Sequence, residues 1–264
     1  MSVDPKMGRA TAGLADQPDA LRGACTFANL TLPEPLPAEP MGLVMEWINL
    51  AGTSKTQPNP NAMTLATVDG QGRPSARIVL CRKIDAARGV FVFYTNYDSR
   101  KGLEAEGAGG GAGGGHVALV FHWDHLDRQI RIEGRVTRSP EAESDAYFAT
   151  RPALSRVAAW ASDQSRPLAS RAQLLEQNRA AEARFGVVRR GEQDSEVEVP
   201  PGLVVPRPGN WGGFRVWAEH VELWLGHSTR LHDRARWSRA LTASEVDGAA
   251  GYAGGGWTCT RLQP

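Results

Sequence analysis

Residues 62–95 read AMTLATVDGQGRPSARIVLCRKIDAARGVFVFYT, and this stretch decides the fold class. It holds three short segments rich in β-branched and aromatic residues, Ala62–Val68, Ser75–Cys81 and Val90–Thr95. Turn signals separate them, because Asp69-Gly70 follows the first segment and Arg88-Gly89 precedes the third. Closely spaced strands with short turns are typical of antiparallel pairing. The stretch therefore predicts an antiparallel sheet or barrel.

The rest of the chain adds strands and a block of helices. Further strands are predicted at Val117–Trp123, Gln129–Val136, Gly213–Val216, His220–Leu225, Arg230–Trp237 and Trp257–Leu262. Helices are predicted at Met41–Ala51, Ser99–Glu106, from Ser139 to about Thr150, at Leu154–Ala161 and from Ser170 to about Phe185. The order of strands, helices and strands predicts one α+β domain, an antiparallel barrel with peripheral helices.

Composition shifts divide the chain. Residues 1–40 lack periodicity and end in a proline-rich run, which predicts a flexible N-terminal arm before a single domain at 41–264. Insertions are predicted near 107–115 and 186–210. The first contains Gly109-x-Gly111-x-x-Gly114, but a helix is predicted before it and a strand after it, which is the reverse of a dinucleotide-binding loop. It is interpreted as a flexible insertion.

Charge and cysteine content exclude several classes of function. The chain has 264 residues with 30 Lys+Arg against 29 Asp+Glu, and this balance predicts no general attraction to nucleic acid or to an anionic membrane. Cys25, Cys81 and Cys259 are far apart, so neither a disulfide framework nor a metal site is predicted. The longest clean apolar run, Val117–Phe121, is too short to span a bilayer. We expect a cytoplasmic protein.

Arg230, His232 and Arg234 form a dense cationic cluster near the C-terminus. On a strand these alternate residues would project from the same face, about 6.5–7 Å apart per step. Two guanidiniums and an imidazole aimed at one region suit a phosphate or a carboxylate. The alternative is a solvated basic face paired with carboxylates.

A second set of cations and hydroxyls lies at predicted strand ends and at a helix start: Arg77, Arg82, Lys83, Tyr94, Thr95, Ser99, Arg100 and Lys101. Strict alternation places Arg77 and Arg82 on opposite faces of one strand, so they cannot bind the same phosphate unless a bulge intervenes. Two anion sites are the simpler inference.

A series of short motifs carries a resemblance that covers roughly residues 40–264. They are Arg77-Ile78-Val79-Leu80, Phe93-Tyr94-Thr95-Asn96, Ser99-Arg100-Lys101, Arg128-Gln129, Tyr147-Phe148 with Arg151-Pro152, Ala159-Trp160-Ala161-Ser162 with Gln164-Ser165, Trp211-Gly212-Gly213, Glu222-Leu223-Trp224, Arg230-Leu231-His232-Asp233-Arg234 and Arg261-Leu262-Gln263-Pro264. In this order they resemble the pyridoxamine/pyridoxine 5'-phosphate oxidase family.

The resemblance implies an FMN-binding split β-barrel and a homodimer with two FMN molecules at the subunit interface. It implies oxidation of pyridoxamine 5'-phosphate or pyridoxine 5'-phosphate to pyridoxal 5'-phosphate, with O2 reduced to H2O2. Carried over by position, the FMN-binding residues would be Arg77, Ile78, Tyr94, Thr95, Arg100, Lys101, Gln129, Gln164, Ser165, Trp224 and Arg234. The substrate-binding residues would be Arg82, Tyr147, Arg151, Ser155, Arg230 and His232, with Arg230 and His232 against the reacting ring as the catalytic pair.

The sequence departs from the family pattern in a few places, and two other functions stay open. Arg82 stands where the family usually has lysine, and the usual basic N-terminal segment is not recognisable before Pro33. The first alternative is a related flavin oxidase of secondary metabolism, similar to those of phenazine biosynthesis. The second is a non-catalytic protein that binds FMN or pyridoxal phosphate.

Overall fold

Antiparallel strands joined by short turns form the main sheet. The structure is a computed structural model that describes residues 27–107, 115–190 and 196–264. The strands are β1 (Ala62–Val68), β2 (Pro74–Leu80), β3 (Lys83–Asp85), β4 (Val90–Asn96), β5 (His116–Trp123), β6 (Arg128–Arg138), β7 (Val188–Arg190), β8 (Glu196–Glu198), β9 (Trp211–Leu225), β10 (Asp233–Ser238), β11 (Leu241–Val246), β12 (Ala249–Gly254) and β13 (Thr258–Leu262). The helices are α1 (Met41–Ser54), α2 (Arg100–Ala105), α3 (Glu141–Thr150), α4 (Ala153–Ala158) and α5 (Arg171–Arg184).

The long strand β9 organises the sheet, whose order is β13-β10-β9-β6-β5-β1-β2. On one side β9 pairs with β6 along its length. On the other side its first half pairs with β4 and its second half with β10. The change of partner occurs beside a bulge, since Glu133 faces His220, Gly134 faces Ala218 and Glu219 is the extra residue. The sheet therefore curls and splits into a half-barrel. This architecture confirms the predicted α+β class with an antiparallel barrel.

The core lies between the curled sheet and α1. Alternate residues of β1 point inward, and Val44, Trp47 and Ala51 of α1 are buried against the same cluster. Trp123 and Trp237 are fully buried, and each indole N–H donates to a backbone carbonyl. These donated bonds satisfy the polar end of each ring, so both rings stay inside at no loss of hydrogen bonding.

Gly134 marks the closest approach between β6 and β9. A Cβ at this position would lie 1.9 Å from the carbonyl oxygen of Trp217, which is backbone and cannot swing aside. We expect Gly134→Ala to lower the free energy of unfolding by about 3 kcal/mol or more, because the bulge must open. Gly52→Ala is the control, since Gly52 is helical with open space around it and alanine there adds up to about 1 kcal/mol. Urea unfolding measures both; an unchanged midpoint for Gly134→Ala would contradict this account.

Most predicted elements are confirmed, and three differences lie at or after β9. The strands predicted at Gly213–Val216 and His220–Leu225 are one continuous strand, β9, bent by the bulge. The strand predicted to begin at Arg230 begins at Asp233, because Arg230 has a left-handed φ of 64° in a turn. The hairpin of β11 and β12 was not predicted from the sequence.

The described part of the N-terminal arm, residues 27–40, packs on the sheet. Leu32 is buried, the indole N–H of Trp237 donates to the Pro37 carbonyl, and Arg261 binds the Pro33 carbonyl. Residues 1–26, most of the glycine insertion (108–114) and residues 191–195 of the second insertion lie outside the described residues. Within the described ranges, no helix is long and apolar enough to cross a membrane, and no three metal-ligating side chains form a group.

Candidate functional site

Three aromatic rings from separate elements form a stack on one side of the sheet. Tyr147 of α3 lies on Tyr94 of β4, with ring centroids 3.9 Å apart and planes inclined by 17°. Trp211, at the start of β9, lies 5.6 Å from Tyr94 and nearly parallel to it. A second core cluster, which includes Phe148 and Val157, holds α3 and α4 on Trp211. Burial raises the pKa of Tyr94, so its phenol stays protonated.

Two guanidiniums flank this stack. The Arg151 guanidinium lies 4.7 Å from the Trp211 ring, and that of Arg82 lies 6.0 Å from the Tyr147 ring. The Arg151 Nη1 atom is buried without a hydrogen-bond partner, and within the described ranges neither arginine has a carboxylate partner. Burial lowers the pKa of Arg151, and the nearby charge of Arg82 also acts in this direction. Two uncompensated cations and an orphaned N–H make this a site for an anion. Ser155, half-buried on α4, follows Arg151 by four residues.

A second polar group lies beside the stack, at the start of α2. Lys101 Nζ donates to Gln164 Oε1 at 2.5 Å and to Ser99 Oγ at 3.2 Å. The Thr95 hydroxyl donates to the same Gln164 oxygen at 3.1 Å. Burial lowers the pKa of Lys101, and the charge of Arg77 lowers it further. The lysine, the amide and the hydroxyl converge as the donors of a phosphate site would.

Glu104 orients the arginines of this second group. Arg77 Nη1 donates to Thr67 Oγ1 at 2.6 Å, and Nη2 lies 3.4 Å from Glu104 Oε2. Arg100 Nε donates to Glu104 Oε1 at 2.6 Å, and the Thr67 hydroxyl also donates to this carboxylate. Burial opposes ionisation of Glu104, but these hydrogen bonds and charges outweigh it and lower its pKa. Ile78 next to Arg77 is 65% exposed.

A third group gathers at the far end of β9. Gln129 of β6, Trp224 of β9 and Arg234 of β10 are direct partners across neighbouring strands. The His232 ring lies 4.7 Å from that of Trp224. Arg234 donates twice to Glu222 Oε1, at 2.7 and 3.0 Å, so its guanidinium is fixed on the sheet.

The proton of His232 can be placed from its hydrogen bond. Its Nδ1 accepts the backbone N–H of His227 at 3.0 Å, so in the neutral ring Nε2 carries the proton. Burial lowers the pKa of His232 below 6.5, and the charge of Arg230 lowers it further. The ring is therefore a neutral hydrogen-bond donor near pH 7.

The turn that carries Arg230 corrects the alternation argument. Arg230 N–H donates to the His227 carbonyl, and the strand begins only at Asp233. Arg230, His232 and Arg234 therefore do not occupy successive positions on one strand face, and the prediction that they do is wrong. Arg230 is exposed, whereas His232 and Arg234 are half-buried.

Within one chain, the third group lies far from the other two groups. Thr95 pairs with Gly212 and Gln129 with Trp224, so the groups are 12 residues apart on β9. At about 3.3 Å per residue this is roughly 40 Å along the strand. Across the described residues, no hydrogen bond or ring contact joins the third group to Lys101 or Gln164.

Sequence reasoning missed the buried carboxylates that hold the arginines, among them Glu104 and Glu222. Glu104 follows Arg100 by four residues on a predicted helix, a spacing that could have indicated an ion pair. Glu222 binds Arg234 only because β9 and β10 pair in that register, for which no local signal exists.

Comparisons with known proteins identify a family to which this chain is similar. Residues 54–183 match the family model for pyridoxamine 5'-phosphate oxidase, and residues 211–264 match that for the pyridoxine 5'-phosphate oxidase C-terminal dimerisation region. The pyridoxine/pyridoxamine 5'-phosphate oxidase of Paraburkholderia phymatum is 44% identical over 85% of this chain and 89% of its own length. That of Gluconobacter oxydans is 44% identical over 87% of this chain and 96% of its own length.

Solved structures show the same fold. PhzG from Burkholderia lata, in complex with tetrahydrophenazine-1-carboxylic acid, superposes with a TM-score of 0.71 at 27% identity, covering 90% of this chain and all of that one. A pyridoxamine 5'-phosphate oxidase-related, FMN-binding protein from Nostoc punctiforme has a TM-score of 0.56 at 14% identity, over 86% of this chain and 98% of its own.

Proposed function

This chain belongs to the pyridoxamine 5'-phosphate oxidase family, and from that premise we propose that it oxidises pyridoxamine 5'-phosphate or pyridoxine 5'-phosphate to pyridoxal 5'-phosphate. The protein is an oxidoreductase with FMN as its cofactor, and we take O2 as the acceptor that yields H2O2. One observation carries the proposal: Arg82 and Arg151 form an anion site at the aromatic stack. This site is separate from the second polar group at the start of α2, which we call the Lys101 group. Two phosphates need two such sites.

The Lys101 group fits the cofactor phosphate. Lys101, Arg77 and the Thr95 hydroxyl supply charge and donors at one place, and Glu104 keeps the arginines oriented. The residues proposed to hold FMN are Arg77, Ile78, Tyr94, Thr95, Arg100, Lys101, Gln129, Gln164, Ser165, Trp224 and Arg234. A terminal monoester is the ligand that this arrangement favours, which selects FMN over riboflavin.

The substrate residues position the second phosphate and the ring. Arg82 and Arg151 neutralise the phosphate, with Tyr147 and Ser155 beside it. When bound, FMN would supply the acceptor for a hydride from C4' of the substrate. Arg230 and His232 face the ring from the third group, and the neutral His232 offers its Nε2–H as a donor. The chain forms no covalent bond to substrate; it contributes position and charge.

We propose a homodimer in which each site takes the Lys101 group from one subunit and the third group, which contains Trp224 and Arg234, from its partner. The separation of the two groups along β9 supports this, because one chain does not bring them together. Trp224, His232 and Arg234 also lie within the C-terminal dimerisation region. The cytoplasmic location expected from the composition stays a prediction.

A flavin oxidase that acts on a carboxylated ring is the second candidate, and the likeness to PhzG favours it. Arginines bind carboxylates as well as phosphates, so the Arg82–Arg151 site accepts either anion. Oxygen uptake with a panel of vitamin B6 phosphates and ring carboxylates separates the two functions. A protein that binds FMN but releases no peroxide with any of them would be the non-catalytic alternative.

Cofactor binding gives a direct test of the phosphate site. We expect about one noncovalent FMN per chain, bound about 10- to 150-fold more tightly than riboflavin, which lacks the phosphate. Lys101→Met should weaken FMN and leave riboflavin unchanged. Fluorescence titration measures both ligands. Equal affinity of the wild type for FMN and riboflavin would remove the Lys101 group from the cofactor phosphate.

A further inference from the structure

A chain of alternating charges lies behind the aromatic stack. Lys83 Nζ donates to Glu143 Oε1 at 2.7 Å, and Arg215 Nε donates to Glu143 Oε2 at 2.9 Å. Arg215 Nη1 donates in turn to Asp247 at 3.0 Å, and Arg88 lies 3.3 Å from the same carboxylate. The chain joins five segments: β3, the turn between β3 and β4, α3, β9 and the turn of the β11–β12 hairpin.

Glu143 is the centre of this cluster. Its side chain is 14% exposed and that of Arg215 is 9% exposed, so their charges are largely out of water. Burial opposes ionisation of Glu143, but hydrogen bonds and charge from Lys83 and Arg215 outweigh it and lower its pKa. Removing the carboxylate charge leaves the buried Arg215 with Asp247 as its only carboxylate within the described ranges. Loss of one partner of a buried pair is disruptive because the other charge stays buried.

Glu143 and Tyr147 lie on the same helix. The two residues are four apart on α3, hence on the same helix face one turn from each other. Glu143 ties the first turn of the helix to β3 and β9, while Tyr147 lies flat on Tyr94. A shift of that first turn therefore moves the Tyr147 ring relative to Arg82.

Charge compensation near the site is selective. Arg82 and Lys83 are adjacent in the chain, yet Lys83 is neutralised by Glu143 and Arg82 has no carboxylate partner within the described ranges. Glu143 thus leaves Arg82 and Arg151 as the cations that face an incoming anion. The same carboxylate binds the first turn of the helix that carries Tyr147 to β3 and β9.

We propose that Glu143 is a positioning residue for substrate binding, which holds α3 so that Tyr147 and Arg151 face Arg82, with Asp247 of the hairpin completing the arrangement through Arg215. This proposal rests on the proposed function for the identity of the substrate. It assigns a role in the site to the β11–β12 hairpin, which carries none of the predicted site residues.

The test compares Glu143→Gln with Glu141→Gln in the FMN-loaded protein. Both variants remove one charge from the first turn of α3, but Glu141 is exposed and has no ion pair within the described ranges. We expect Glu143→Gln to raise the KM for pyridoxamine 5'-phosphate about tenfold or more, with kcat within about threefold and FMN affinity within about twofold. Glu141→Gln should match the wild type. A KM within about twofold of wild type for folded Glu143→Gln would overturn the proposal, even if the variant melts earlier.

A readout without turnover separates this proposal from the proposed function. Inorganic phosphate is titrated into FMN-loaded protein, and the shift of the melting temperature gives its affinity. If the wild type turns over no vitamin B6 phosphate, the proposed function is overturned. The Glu143 proposal is then decided by the phosphate affinity, which Glu143→Gln should weaken about tenfold. If Glu143→Gln does not fold, Asp247→Asn decides, since Asp247 lies in an exposed turn; we expect its KM to rise about threefold, and no rise overturns the proposal.

Discussion

Arg151→Ala raises the KM for pyridoxamine 5'-phosphate by about 10- to 150-fold, with FMN still bound. The half-buried guanidinium lies on Trp211 with one N–H that has no acceptor, so a substrate phosphate supplies the missing partner. A remote phosphate is gripped equally in the ground and transition states, so kcat changes less than KM. Steady-state peroxide release measures both constants. Arg166→Ala is the control, because Arg166 is exposed in the loop between α4 and α5 and its loss should change neither constant.

Arg82 shares this anion site, and its variants separate the two candidate functions. Arg82→Lys keeps one cation and should retain most activity, whereas Arg82→Ala should raise KM as Arg151→Ala does. If the enzyme acts on a carboxylated ring instead, Arg82→Ala should raise the KM for that ring carboxylate in the same way. The wild type should then turn over no vitamin B6 phosphate. An unchanged KM in both alanine variants would remove the two arginines from the substrate site.

The strands could be predicted because their signal is local. The burial of Met63, Leu65 and Thr67 in β1 follows the alternation of the sequence, and Ser170 caps α5 at the position that the capping pattern indicates. Anion-binding residues could also be predicted as types, since arginines and hydroxyls at strand ends suit phosphate.

The remaining features depend on contacts between distant parts of the chain. The bulge at Glu219 arises only where β9 changes partner, and the turn at Arg230 depends on a hydrogen bond to His227. Glu143 binds Lys83 and Arg215 across 60 and 72 residues of sequence. No window of sequence holds those pairings, so periodicity could not show which arginines are neutralised and which are left for a ligand.

The arrangement of half-sites also predicts how defective subunits behave when mixed. Lys101 belongs to the group at the start of α2, and Arg234 to the group about 40 Å along β9 by strand rise. Loss of either cation removes one of the contacts that are proposed to hold FMN. Homodimers of Lys101→Ala or of Arg234→Ala should therefore bind FMN about 10- to 150-fold more weakly at both sites.

A mixed dimer of Lys101→Ala and Arg234→Ala should recover one intact site. One interface then combines both altered groups, and the other combines an unaltered Lys101 group with an unaltered Arg234 group. Random exchange makes half of the dimers mixed, so FMN binding and peroxide release should return to about one quarter of the wild-type level. The control mixes Lys101→Ala with Arg77→Ala, which alter the same group, so every site stays defective and no recovery is expected. Equal behaviour of the two mixtures would show that each site is built from one chain, because recovery requires that the Lys101 and Arg234 groups of a site come from different subunits.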